Sequence, residues 1–189
     1  MNEYEPSLVQ LTLKTILVHT VTYFGMGVLF MWLLDYEARF AEPPAKYFLR
    51  ELDHPLIYAG PMLQSIRGVI FALAFYQLRG VLFGSKNGWL KAWWLLVAIG
   101  ILSTFGPSPG SVEGIIYTVV PLKSHITSLP EVVLQSLLLA VILFYWVNHP
   151  EKRWLAGILW TVFVLVILMS TMGLLVGLGV LEVAGAGIE

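Results

Sequence analysis

The sequence predicts an all-α fold, a polytopic helical bundle embedded in a membrane. Three observations carry that prediction. Of the 189 residues, 58% are hydrophobic and only 12% are charged, roughly half the charged share of a soluble domain. About five stretches are apolar over close to the ~20 residues that a helix needs to cross a bilayer. Trp32, Trp89, Trp93, Trp94, Trp146 and Trp154 fall near the ends of those stretches, where interfacial anchors sit. The length leaves room for one compact bundle beside no sizeable soluble domain, so 1–189 reads as a single transmembrane domain.

The expected spans lie near 11–34, 56–78, 89–105, 130–147 and 154–181. The first follows MNEYEPSLVQLTLK, which has acids where a secretory leader carries positive charge and offers no small-residue cleavage site, so it reads as a retained helix. Between the first two spans, DYEARFAEPPAKYFLRELDHP alternates charge with aromatic residues and is broken by Pro43 and Pro44. That pattern suits short amphipathic pieces lying along the interface. RGVLFGSKNG is a short turn, and the third span is somewhat short. The fourth is expected to open at Pro130, with Glu131 in its first turn, because both favour a helix N-terminus. NHPEKR then joins the last two spans as an antiparallel hairpin.

Lys14, Arg79, Lys86, Lys91, Lys152 and Arg153 gather on one side of such a five-span bundle, in short segments near helix ends. The positive-inside rule makes that side cytoplasmic, with the N-terminus in, the C-terminus out, and a plasma (inner) membrane the expected location. The formal net charge of −1 and the lack of a dense basic cluster exclude nucleic-acid binding. The absence of cysteine excludes disulfides, thiolate metal sites and iron–sulfur clusters. His54, His125 and His149 fall at expected helix ends without a partner at ligand spacing, so no metal site is expected. No cofactor motif is present.

The informative residues are the polar ones at depth. Arg67 sits near the middle of the second span, where arginine costs about 2.5–3.5 kcal/mol on the translocon scale. Gly60, Gln64, Arg67 and Phe71 share a helix face at spacings of three and four. Arg67 needs an acceptor, and Glu113 is the expected one, because Asp35, Asp53, Glu131 and Glu151 all fall at expected helix ends. In this reading GPSPGSVEGIIYTVV, within 107–121, enters the bundle as a re-entrant half-helix. Ser111 caps it, Glu113 is the candidate acid or base, and Pro121 ends it. The plainer readings are a surface loop and an Arg–Glu pair that only fixes register. His19 in the first span and Gln135 in the fourth are the further candidates for the network around Arg67.

GPSPG fits the nucleophile pattern G-x-S-x-G with Ser108 as its serine, but no strand precedes it and it reads as a Pro/Gly turn. Gly173 and Gly177 make a G-x-x-x-G, which allows close packing within the bundle or contact with a second copy or a partner membrane subunit. Three functions follow. The first is a pocket around Arg67, Gln64 and Glu113, joined by His19 and Gln135, that binds a lipid-like or small anionic molecule as carrier or membrane-embedded enzyme. The second is a non-catalytic accessory subunit of a larger membrane complex. An ion path is disfavoured, since one Arg, one Glu and one His are too few for a relay across a bilayer. Membrane lipids are partners in every case.

Overall fold

The computed structural model describes residues 6–181, and every regular element among them is helical. The acidic start of the chain, read as lacking a leader, lies outside the described residues except for its last part. In chain order the elements are α1 (Leu8–Leu33), α2 (Tyr36–Ala41), a 3-10 turn (Ala45–Tyr47), α3 (Pro55–Tyr58), α4 (Gly60–Gln77) and α5 (Arg79–Leu82). They continue with α6 (Gly88–Val97), prolonged by a π-helical turn at Ala98–Leu102, then α7 (Val112–Tyr117), α8 (Leu122–Asn148) and α9 (Arg153–Gly177). Among the described residues, α1, α8 and α9 are long and apolar enough to cross a membrane. α4 reaches 18 residues but carries Arg67, and α6 with its π turn is shorter.

α1 is the hub. Ser7 starts it with a capping box, its Oγ accepting from Gln10 N–H at 3.3 Å while Gln10 Oε1 accepts from Ser7 N–H at 3.2 Å. The helix packs against α4, α8 and α9, and buries Leu11, Leu17 and Val18 among Phe75, Leu139, Leu143, Val147 and Leu159. Lipid is as apolar as these side chains, so close approach rather than exclusion of water holds such a bundle together. Gly68 permits that approach: a Cβ there would stand 2.8 Å from Ile16 Cα, so α4 rests on the backbone of α1.

Two boundaries differ from expectation, both at prolines. The second span is interrupted at Ala59, where Pro61 supplies no N–H to continue the ladder from α3 into α4. Ser170 of α9 fills the break, donating to Tyr58 C=O and accepting from Met62 N–H at 3.3 Å. The ring of Tyr58 and the pyrrolidine of Pro55 then lie over Gly173 and Gly177, where a Cβ would meet them at 3.0–3.3 Å. α3 thus packs against the G-x-x-x-G, leaving Gly177 partly open.

The fourth span begins at Leu122 rather than Pro130. Pro121 in extended conformation precedes its first residue, and Pro130 is accommodated inside the helix. The added eight residues move Glu131 from a helix end to the third turn of a 27-residue helix.

Candidate functional site

α6 packs on α8 and α4 packs on α1, whereas α4 and α6 do not pack along each other. The resulting cleft has α1 and α8 as its floor and holds a cavity of about 280 Å³. Its walls include His19 and Tyr23 of α1, Arg67 and Phe71 of α4, Gly100 and Ile101 of the π turn, and Glu131 and Gln135 of α8, with Ser108 and Pro109 at one side. Gly100 and Ile101 come from a π-helical turn, a distortion frequent at functional sites.

A hydrogen-bonded chain fixes the cavity floor. Gln135 Nε2 lies 3.3 Å from His19 Nδ1, and His19 Nε2 lies 3.1 Å from Gln64 Oε1. Gln64 Nε2 donates to Gly60 C=O at 3.3 Å, which leaves its Oε1 as the acceptor toward His19. The consistent assignment is a neutral His19 that accepts at Nδ1 and donates from Nε2–H. Phe71 meets the buried His19 ring edge to face, with centroids 5.0 Å apart. Three of the expected site residues, His19, Gln64 and Gln135, are therefore joined, and they come from α1, α4 and α8.

Arg67 stands beside this chain but takes no part in it. Its guanidinium lies 5.3 Å from the Phe71 ring centroid, and among the described residues no carboxylate approaches it within ion-pair distance. The expected Arg67–Glu113 pair does not form. α7 turns Gly114 inward, where a Cβ would come 2.0 Å from Ser108 C=O and 3.1 Å from His125 Cε1. The neighbouring position 113 is rotated by about 100° on the helix, so Glu113 points elsewhere. It is half-buried, does not line the cavity, and makes no hydrogen bond or ion pair among the described residues.

The acid on the cavity wall is Glu131 instead. It accepts a short hydrogen bond from the Tyr36 hydroxyl, which reaches over from α2. Burial, and then the carboxylate itself, push the Tyr36 phenol well above its ordinary range, so it remains a donor at neutral pH. One turn earlier on α8, Thr127 accepts from Arg39 Nη2 at 2.8 Å. Glu131 and Pro109 also line a second cavity of about 520 Å³ beneath the interfacial segment, together with Tyr36, Arg39, Lys123 and Ser124. Glu131 was readable in principle: Thr127, Glu131 and Gln135 repeat every four residues, but only once α8 is extended back to Pro121.

The 105–121 stretch makes most of its polar contacts within itself and to the start of α8, although His125 Nε2 is buried without a partner among the described residues. Ser111 caps α7 as expected, accepting from Gly114 N–H at 2.9 Å and donating to Ser108 C=O at 2.8 Å. α7 ends at Tyr117, before Pro121, which instead precedes α8. Buried His125 accepts from Gly110 N–H at 3.0 Å through Nδ1. Ser108 Oγ pairs with Thr104 Oγ1 at 3.2 Å, so Ser108 and His125 form no nucleophile–base pair.

Among the described residues no group of three or more His, Cys, Asp or Glu is arranged to hold a metal ion. Compared with protein-family models, curated proteins and solved structures, the chain matches none.

Proposed function

We propose that this chain is a five-span membrane protein whose α4–α6 cleft binds a lipid-like or small anionic molecule at Arg67, as a carrier or a membrane-embedded enzyme. The observation that carries the reading is an arginine on a cavity wall with no carboxylate beside it. A guanidinium cannot shed its proton and is costly at depth, so it calls for an anion, and a carboxylate or phosphate fits its fork. The His19–Gln64–Gln135 chain holds the floor rigid, and Glu131 of α8, on the same cavity, supplies a carboxyl able to accept or give a proton. α4 and α6 complete the count of spans in this reading, with the N-terminus cytoplasmic and α2 and α3 in the outer interface.

The accessory-subunit reading rests in part on Gly173 and Gly177; α3 packs against both, while Gly177 keeps an exposed surface.

Thermal unfolding in detergent tests the proposal. A ligand that binds only the folded state raises the midpoint by mass action. Alkyl phosphates are expected to stabilise the wild type, while Arg67→Ala should unfold at the same temperature with or without them. Equal stabilisation of both proteins contradicts the reading.

A further inference from the structure

A third cavity adjoins the first two. It measures about 370 Å³ and lies between α1, α3 and α9, lined by Phe24, Gly27, Val28, Met31, Tyr58 and Met169, among others. It shares Tyr23 with the Arg67 cavity, and Tyr36 and Phe40 with the interfacial one. Tyr23 and Tyr36 thus mark the junction of an apolar groove, a deep cavity with one arginine and one glutamate, and a polar basin under the interfacial segment. The basin carries Arg39, Lys123, Glu42 and Glu131, balanced in formal charge, which suits water and polar solutes better than a single anionic group. The apolar groove has no ionisable side chain on its walls except tyrosines.

We propose that the molecule held at Arg67 is an anionic amphiphile whose apolar chain runs past Tyr23 into the groove between α1, α3 and α9. This rests on the Arg67 reading and names its ligand class, a membrane lipid with an acidic head rather than a free anion. Three features argue for that occupant. The groove and the deep cavity both have Tyr23 on their walls, so a molecule passing that side chain would reach from one to the other. Apolar surface at one end and an unpaired guanidinium at the other match an amphiphile's two ends. At Gly27 a Cβ would meet nothing within 4 Å, which leaves open space along the groove wall that a chain of methylenes fills. The polar basin then gives the head a route to water past Glu131 and Tyr36, while the chain stays in apolar surroundings.

The test compares hexadecyl phosphate with methyl phosphate, which has the same head and no chain, on the full-length protein in a neutral detergent. Three proteins are used: wild type, Gly27→Phe and Arg67→Gln. Hexadecyl phosphate should bind wild type at least about tenfold more tightly than methyl phosphate, since only its chain can make packing contacts along the groove. Gly27→Phe should remove most of that difference and leave methyl phosphate unaffected, while Arg67→Gln should weaken both. A hexadecyl phosphate bearing a mid-chain diazirine provides a readout that does not depend on any variant folding, and labels are expected on Val28, Met31 or Met169. Equal binding of the two phosphates, or labels on Ile99 and Ile101 in place of the groove, overturns the proposal. Hexadecyl phosphate binding that ignores Gly27→Phe but falls with Arg67→Gln overturns the chain's placement and leaves the Arg67 site standing. Binding indifferent to Arg67→Gln removes both.

Discussion

Two regions of this chain are rich in polar groups, and they use them in opposite ways. Around the 105–121 stretch, Thr104 pairs with Ser108, Ser111 with Ser108 and Gly110 with His125, and only His125 Nε2 is left buried without a partner among these. Every bond stays between the stretch and the first turns of α8, and the outcome is a six-residue helix held in one place. In the α4–α6 cleft, His19, Gln64 and Gln135 also pair, but they leave Arg67 and Glu131 facing a cavity. The difference teaches where a site lies. Polar groups that pair with one another account for architecture, whereas a permanent charge on a cavity wall with no carboxylate at ion-pair distance is open to an outside partner.

The comparison is broken most forcefully by testing each region for the other's property. His125→Ala is expected to have the largest effect on stability, about 3 kcal/mol, because it leaves Gly110 N–H buried without an acceptor and a void where the ring stood. Thermal unfolding measures it, and the protein that remains folded should bind alkyl phosphate within about threefold of wild type, as sites without shared partners do. Arg67→Ala should show the reverse pattern. Binding measured by titration should weaken roughly 10- to 100-fold, the equivalent of one charge-assisted hydrogen bond of about 1.5–3 kcal/mol, with the unfolding midpoint of the unliganded protein nearly unchanged. Glu113→Gln should do neither, shifting stability by no more than about 0.5 kcal/mol and leaving binding alone. A marked loss of binding in that variant would return the site to the loop.

The all-helical fold was legible because its signals are additive along the chain. Apolar runs, tryptophans at their ends and prolines between them each point to the same elements, and the Ser111 cap follows from local chemistry alone. What failed to show was the start of α8. LKSHITSLP is polar enough to pass for a loop, and Pro130 imitates a first-turn proline, so the helix was expected eight residues late. That displacement hid Glu131, because an acid at a helix end needs no explanation while one in the third turn does. Of the candidate site, His19, Gln64, Arg67 and Gln135 were visible as polar residues within apolar runs. Their pairing was not, because it depends on which faces α1, α4 and α8 turn to one another. Glu113 was the converse case. Its prominence came from scarcity of acids, and the inward turn of Gly114, which a sequence does not display, sends it away from Arg67.

The most direct test is native mass spectrometry of the protein extracted gently from its own membranes, with wild type, Arg67→Ala and Glu113→Gln measured side by side. A cavity organised around Arg67 and Glu131 predicts a bound anionic amphiphile on wild type and on Glu113→Gln that is missing from Arg67→Ala. The same bound mass on all three proteins would contradict it and make Arg67 a matter of architecture.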